Sequence, residues 1–460
     1  MAGIGFEIRK LLRRDDLAGV LQGYTHSAMT ATGPWLLTIL TLAGIVRLGG
    51  SSVSSEQLTE FRLIIIYNFG LSLVTTGPIV MVATRYLADA IYAKKIDEAP
   101  SMLLGYLLLL LAINAVLVVP FYLYWLVLDR TLAVLSIINF FIVGSIWLIS
   151  AFLSALKDYT AITRAFAVGA VVTLATTMAL VSTASTTAMM VGLTSGLSLI
   201  LFSLIARVLV EYPYPVVNPF RYGRYFRKYW QLALSGLVYN LGIWIDKWVM
   251  WAAPERDVLP SGLIAYQDYD SAMFLAYLTI VPSIAAFVMS VETEFYEHYL
   301  AFFKSVRNHS DLDEIDRTHG EIIASTLRGA RMFIILQGSI CLTTILVAPK
   351  LFATFNIGFS QIAMFRIGVL GAFFHVLFLA LSIVLSYFDL RSVTLKLQLL
   401  FLVTNGVFSY VSMTLGYPYY GFGYFLSALV TFSAAFLTSA YYLDRLPYQT
   451  FVLSNTSVDR

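Results

Sequence analysis

The chain has 460 residues, of which 59% are hydrophobic and only 12% carry a charge, against about 25% charged residues in an ordinary globular protein. This composition excludes a soluble globular protein. It indicates a polytopic membrane protein, because apolar runs of about 20 residues recur along the whole sequence. The formal net charge of +3 gives no reason to expect a nucleic-acid partner, and a single cysteine, Cys341, excludes an intrachain disulfide.

The first 19 residues predict a short interfacial helix. They lack the compact apolar block and the small-residue cleavage site of a signal peptide. Apolar side chains would face lipid and basic side chains the headgroups: Phe6, Ile8, Leu11 and Leu12 on one side, and Arg9, Lys10, Arg13 and Arg14 on the other.

Twelve apolar runs, bounded by charges or turn signals, then predict an all-α polytopic fold of two six-helix bundles. The first bundle, residues 20–210, has spans near 20–46, 62–92, 102–128, 132–156, 162–183 and 187–210. The second bundle, residues 230–442, has spans near 230–252, 269–291, 329–349, 361–388, 393–415 and 420–442.

Three further segments are predicted to be cytoplasmic. The linker 211–229 contains three prolines that stop a helix, followed by the basic residues Arg221, Arg224, Arg227 and Lys228. The loop 291–328 is amphipathic and then acidic, and we expect it to extend span eight and turn back. The tail is 443–460. The linker and the loop are the elements large enough to dock a soluble partner.

The distribution of basic residues predicts the orientation. Twenty of the 30 Lys and Arg residues fall on the side of the N-terminus, five on the opposite side and five within or at the edges of spans. Because cytoplasmic loops are enriched in Lys and Arg, both termini are predicted to be cytoplasmic.

Prolines interrupt three of the spans. A proline removes an amide donor, which a membrane helix tolerates when neighbouring groups satisfy the freed carbonyl. Interrupted spans at corresponding positions of two halves are typical of a transport pathway, although prolines are common in membrane helices generally. The predicted hinges are Gly33, Pro34, Gly77, Pro78 and Pro282.

Motifs of enzymatic or metal chemistry are absent from the sequence. It contains no GxxxxGK[ST], HExxH, CxxC or GxSxG pattern, so we predict neither an enzyme nor a cofactor. Acidic and histidine residues between His309 and His319 have the irregular spacing of a solvated turn rather than that of a metal site.

Charged and aromatic residues within the spans are candidates for function, because an intramembrane charge is costly. Arg85 and Asp89, four residues apart, are expected to pair with each other. Asp246 has Arg366 and Lys247 as possible partners. The candidate residues of a substrate path are His26, Trp244, Asp246, Trp248, Asp268, Asp270, Arg366 and His375.

Aromatic and acidic residues of span seven and its C-terminal neighbourhood allow two interpretations. Aromatic rings can stack on sugar rings while carboxylates accept hydrogen bonds from hydroxyl groups, which would suit a sugar path. The same aromatic residues would equally suit the interfacial belt of an ordinary membrane protein.

Three stretches carry a resemblance to a known family: "MAGIGFEIRKLLRRDDLAGVLQGY", "SAMTATGPWLLTIL" and "TTGPIVMVATRYLADAIY". They resemble the PelG family, the inner-membrane component of Pel exopolysaccharide secretion systems, in the polysaccharide-transporter branch of the MOP superfamily. The resemblance implies a V-shaped cavity lined chiefly by spans one, two, seven and eight. It also implies a bacterial cytoplasmic membrane location, and a cytoplasmic glycosyltransferase and other inner-membrane Pel proteins as partners.

Three functions remain open at this stage. The first is export of an amino-sugar-rich polysaccharide, coupled to its synthesis. The second is cation-coupled export of drugs or of lipid-linked oligosaccharides. The third is a membrane scaffold that recruits a glycosyltransferase.

Overall fold

The structure, a computed structural model, describes residues 37–48, 53–94, 96–155, 159–183, 185–354, 358 and 361–453. The predicted interfacial helix, His26, Gly33 and Pro34 lie outside the described residues, as does most of the first predicted span. The described end of that span is a short apolar helix, α1, Leu37–Leu48.

Long helices make up most of the described chain up to Met250. They are α2 (Ser55–Tyr92), α3 (Ala99–Pro120), α4 (Arg130–Ala155), α5 (Tyr159–Leu180), α6 (Thr186–Glu211), the short α7 (Arg224–Lys228) and α8 (Trp230–Met250). A π-helical turn, Phe121–Trp125, follows α3. A two-residue antiparallel hairpin, β1 (Asp257–Val258) and β2 (Ile264–Ala265), pairs Asp257 with Ala265.

The remaining described chain is also helical. Its helices are α9 (Gln267–Leu278), α10 (Val281–Ser290), α11 (Tyr296–Arg307), α12 (Leu312–Thr354), α13 (Gln361–Tyr387), α14 (Arg391–Leu415), α15 (Phe422–Asp444) and α16 (Leu446–Tyr448). π-helical turns follow α10 at Val291–Phe295 and α16 at Gln449–Leu453.

Ten helical segments in the described part of the chain are long and apolar enough to cross a membrane. They correspond to predicted spans two to six and eight to twelve, with α9 and α10 together forming span eight. Predicted span seven is α8, a helix of 21 residues that includes Asn240, Asp246 and Lys247. The expectation of an all-α polytopic membrane protein is therefore confirmed.

α12 extends well beyond a bilayer. It has 43 residues, which makes it about 64 Å long, twice the thickness of a hydrocarbon core. α11 packs along its beginning, and the chain turns back between Arg307 and Leu312. This confirms that span eight extends into a hairpin that turns back, while the cytoplasmic location of the hairpin stays a prediction.

Packing divides the chain into two compact units, with a boundary between Gln267 and Asp268. The described residues 37–267 are called here the first unit, and those from 268 to 453 the second unit. α8 falls in the first unit because it packs along α2. The predicted division into two bundles at the linker stays a prediction, and the packing adds that span seven lies with the spans before it.

Candidate substrate path and partner surfaces

Glycines on both helices position α8 against α2. A Cβ on Gly77 would lie 2.6 Å from the carbonyl oxygen of Gly236, and a Cβ on Gly236 would lie 2.5 Å from that of Gly77. About two helical turns before Gly77 in α2, a Cβ on Gly70 would lie 2.9 Å from the ring of Trp244. The two backbones are therefore in direct contact, as small residues permit in membrane helices, and this contact fixes the position of Trp244.

The predicted hinge at Gly77 and Pro78 lies within α2, which continues through both residues as a helix. Asn240 of α8 donates a hydrogen bond of 3.0 Å to the carbonyl oxygen of Leu73, five residues before the proline. A neighbouring helix thus satisfies a backbone group near the proline, as a membrane interior requires. The hinge role of these residues stays a prediction.

Pro282 lies at a genuine interruption. α9 ends at Leu278 and α10 begins at Val281, with Pro282 in its first turn, where a missing amide proton costs little. The Thr279 hydroxyl donates a hydrogen bond of 2.6 Å to the Ala276 carbonyl oxygen. Span eight therefore consists of two helices joined at the proline.

Asp246 and Lys247 form a buried ion pair in α8. Asp246 is 0% exposed and Lys247 8% exposed. The Lys247 ammonium group lies 3.0 and 2.9 Å from the two carboxylate oxygens, and it donates a further hydrogen bond to the Ile243 carbonyl oxygen. This geometry supports a structural role for Asp246. Trp244 and Trp248 on the same helix are half-buried.

Asp268 and Asp270 lie in the first turn of α9, where the helix dipole favours negative charge. The Gln361 side-chain amide donates a hydrogen bond of 2.7 Å to Asp268. In the same unit, the Arg366 guanidinium group donates a hydrogen bond to the Ile345 carbonyl oxygen at 3.2 Å. Such contacts are typical of the first turn of a helix and of packing between helices. A role of Asp268, Asp270 and Arg366 in a substrate path stays a prediction.

His375 lies inside the second unit and is only 4% exposed. Its Nδ1 atom lies 2.9 Å from the Tyr424 hydroxyl and 3.4 Å from the Tyr277 hydroxyl. Nothing in the sequence distinguished these two tyrosines from the other aromatic residues of apolar runs. Gln361 and His375 are 14 residues apart on α13, about 21 Å along the helix, so the Asp268 and His375 clusters are separate.

The linker is packed on the first unit rather than free. A Cβ on Gly105 of α3 would lie 1.9 Å from the Pro219 carbonyl oxygen, so only glycine permits this approach. The Ser101 hydroxyl accepts a hydrogen bond of 2.7 Å from the Val217 amide. At the end of the linker, the Tyr229 hydroxyl donates to Asp89.

The basic side chains of the linker all point outward: Arg221, Arg224, Arg227 and Lys228 are exposed. A hydrogen bond with Tyr229 raises the pKa of Lys228. This lysine therefore keeps its positive charge at neutral pH. In α2, Arg85 and Asp89 form an ion pair as predicted, with 3.4 Å between Arg85 Nε and Asp89 Oδ1.

The hairpin formed by α11 and the beginning of α12 packs on other helices of the second unit. The His319 ring lies 2.7 Å from the Leu443 carbonyl oxygen, and Arg328 pairs with Glu294 at 2.6 Å. Phe302 is fully buried between the two helices and α16. The end of the hairpin between Arg307 and Leu312 is largely exposed.

The sequence family of the chain is clear from one comparison. A family model described as "PelG: Putative exopolysaccharide Exporter (EPS-E)" matches residues 1–451. No match was found among curated proteins.

Solved transporter structures share the fold. An outward-facing MATE multidrug transporter of the MOP superfamily matches with a TM-score of 0.62 and 16% identity, covering 92% of this chain and 96% of that one. An inward-facing MATE transporter matches with a TM-score of 0.62 and 15% identity, covering 92% and 99%. A MOP superfamily transporter from Pyrococcus furiosus matches with a TM-score of 0.60 and 14% identity, covering 92% and 96%.

Proposed function

Since the chain belongs to the PelG family of exopolysaccharide exporters, we propose that it carries a Pel-type, amino-sugar-rich polysaccharide across the bacterial cytoplasmic membrane during its synthesis. The family match over residues 1–451 carries this proposal. The multi-pass fold that the chain shares with MOP superfamily transporters supports it. The chain has no enzymatic role of its own in this proposal, and a glycosyltransferase at the cytoplasmic face extends the polymer.

The proposed orientation has both termini in the cytoplasm. The excess of Lys and Arg residues on that side supports it. In this orientation the linker and the hairpin both face the compartment that supplies sugar nucleotides. The half-buried rings of Trp244 and Trp248 then lie in the extracytoplasmic half of α8, where they would contact the sugar.

A vesicle experiment tests the export proposal. Inverted membrane vesicles containing the chain and its glycosyltransferase are supplied with sugar nucleotide, and the polymer that resists an added glycoside hydrolase is measured. We expect protected polymer in the lumen only when the chain is present. If the chain raises total synthesis without raising the protected fraction, it acts as a scaffold and the export proposal is wrong.

The linker is proposed as the docking surface for the glycosyltransferase. Its exposed positive charges would pair with an acidic surface of that enzyme, each pair contributing about 0.5 kcal/mol. The triple variant Arg224→Gln, Arg227→Gln and Lys228→Gln should therefore weaken binding about tenfold, measured by co-purification at low salt.

A matched control is the triple variant Arg130→Gln, Arg256→Gln and Lys350→Gln. It removes three exposed basic side chains that the proposed orientation places on the other side of the membrane. We expect it to co-purify the enzyme normally. Equal retention of the enzyme by both triple variants would exclude the linker as the docking surface.

A further inference from the structure

A row of polar side chains runs along the interior face of α2. Asn68, Ser72 and Thr76 are spaced four residues apart, so they lie on one face of the helix over about 12 Å. Asn68 and Ser72 are 0% exposed and Thr76 is 1% exposed. Each of these groups needs a hydrogen-bonding partner within the bundle, because neither bulk water nor lipid headgroups reach it.

Two positions of the row have partners from other helices. The Asn68 side-chain amide donates to Asn139 Oδ1 at 2.9 Å and accepts a hydrogen bond of 2.7 Å from the Tyr122 hydroxyl. The Ser72 hydroxyl accepts a hydrogen bond of 3.2 Å from the Trp147 indole. The row is thus a specific polar network within an apolar bundle, and sequence patterns did not single it out.

The third position differs. Thr76 Oγ1 has no hydrogen-bond partner among the described residues. Asn114 is 0% exposed, and its Oδ1 and Nδ2 atoms also have no partner among those residues. Both groups border the space above Gly144 of α4. A Cβ on Gly144 would lie 3.0 Å from Asn114 Nδ2 and 3.5 Å from Thr76 Oγ1. Polar atoms from α2 and α3 therefore converge where α4 has no side chain.

The chemistry of these groups selects the ligand. A sugar has no access, since both side chains are buried. A cation would be bound by a neutral amide and a hydroxyl without a carboxylate, which is unfavourable at a buried site. Water both donates and accepts, so it satisfies the amide in either of its two orientations. The loss of entropy on immobilising one water is smaller than the cost of three unsatisfied polar atoms.

We propose that Asn114, Thr76 and Gly144 form a binding site for one ordered water molecule that bridges α2 and α3. The site lies directly before Gly77 and Pro78, where the proline cannot donate to the carbonyl group four residues earlier. A bridging water keeps the polar groups of both helices satisfied at the point where the hydrogen-bond ladder of α2 is incomplete.

Thermal unfolding of the purified full-length protein tests the site, because the proposal predicts whether substitutions at the site lower or raise Tm. Thr76→Val and Asn114→Leu remove the polar atoms with little change in volume. If water bridges them, each variant should lower Tm by about 2 to 4 °C. The double variant should lower Tm by less than the sum, because the first substitution already breaks the bridge. If either single variant leaves Tm unchanged or raises it, the site is dry and the proposal is wrong.

Thr41→Val is the matched control. Thr41 is also buried in the first unit, but its hydroxyl donates to the Leu37 carbonyl oxygen of its own helix at 2.7 Å. We expect a smaller change in Tm for this variant. A fall as large as that of Thr76→Val would show that loss of any buried hydroxyl suffices, and would overturn the inference.

Two further measurements identify the ligand. X-ray radiolytic labelling in ¹⁸O water should mark Leu110, a fully buried side chain whose Cδ2 atom lies 3.9 Å from the Gly144 Cβ position. The double variant should lose this label, and its absence from the unmodified protein contradicts a bound water. Tm should be equal in sodium chloride and choline chloride. A sodium-dependent rise that Thr76→Val removes would assign the site to a cation instead.

Discussion

Asp246→Asn should strongly reduce the amount of folded protein in the membrane. The carboxylate is fully buried and holds the Lys247 ammonium group through both of its oxygens. Its neutralisation removes the carboxylate partner of a buried ammonium group, which costs about 3 to 5 kcal/mol. Membrane abundance and Tm of the purified variant measure the effect. A sugar-binding role would instead leave abundance near normal and reduce export.

Two further variants separate the loss of the pair from the loss of the carboxylate. Asp246→Asn combined with Lys247→Gln removes both charges and should be more stable than Asp246→Asn alone, because the buried ammonium group is removed together with its carboxylate partner. Glu255→Gln, at an exposed position shortly after α8, should leave abundance unchanged. Normal abundance and normal Tm of Asp246→Asn would contradict the buried ion pair.

Gly236→Ala should separate α8 from α2. The added Cβ would lie 2.5 Å from the Gly77 carbonyl oxygen and 2.7 Å from its carbonyl carbon, and these backbone atoms cannot move without the helix. Overpacking of this kind costs about 1 to 3 kcal/mol, so we expect a lower Tm and lower abundance. Gly77→Ala should have an effect of similar size, because it meets the same contact from the other helix.

Gly320→Ala is the matched control on a long helix. A Cβ at this exposed position of α12 would have no atom within 4 Å. The substitution should leave Tm unchanged or raise it, since alanine is favoured over glycine in a helix by about 1 kcal/mol. Equal stability of Gly236→Ala and Gly320→Ala would show that the helices do not touch at Gly236.

Local sequence patterns were sufficient for the helices and for their approximate order. Long apolar runs mark the membrane-embedded part of each helix, which is why predicted spans two to six and eight to twelve correspond to helices. Helix ends were less accurate. α2 begins at Ser55, seven residues before the predicted 62, because Ser54 and Gln57 form a capping box outside the apolar run. Hydropathy reports membrane embedding, whereas hydrogen bonds at the cap decide where a helix begins.

The partners of polar side chains could not be read from the sequence. Asp246 had Arg366 and Lys247 as possible partners or a place along a wet passage, and the structure pairs it with its neighbour Lys247. His375 meets Tyr424, 49 residues later in the chain. Such contacts depend on how each helix is rotated about its axis.

The sequence by itself therefore determined that this is a multi-pass helical membrane protein of an exporter family, and that span eight is interrupted at Pro282. Only the tertiary structure decided which polar groups meet: Gly77 with Gly236, and Asn114 with Thr76 beside Gly144. In a soluble helix an apolar stripe identifies the buried face, because the other face must be polar. In a bilayer both lipid and protein accept apolar side chains, so rotation about the helix axis leaves no comparable trace in the sequence.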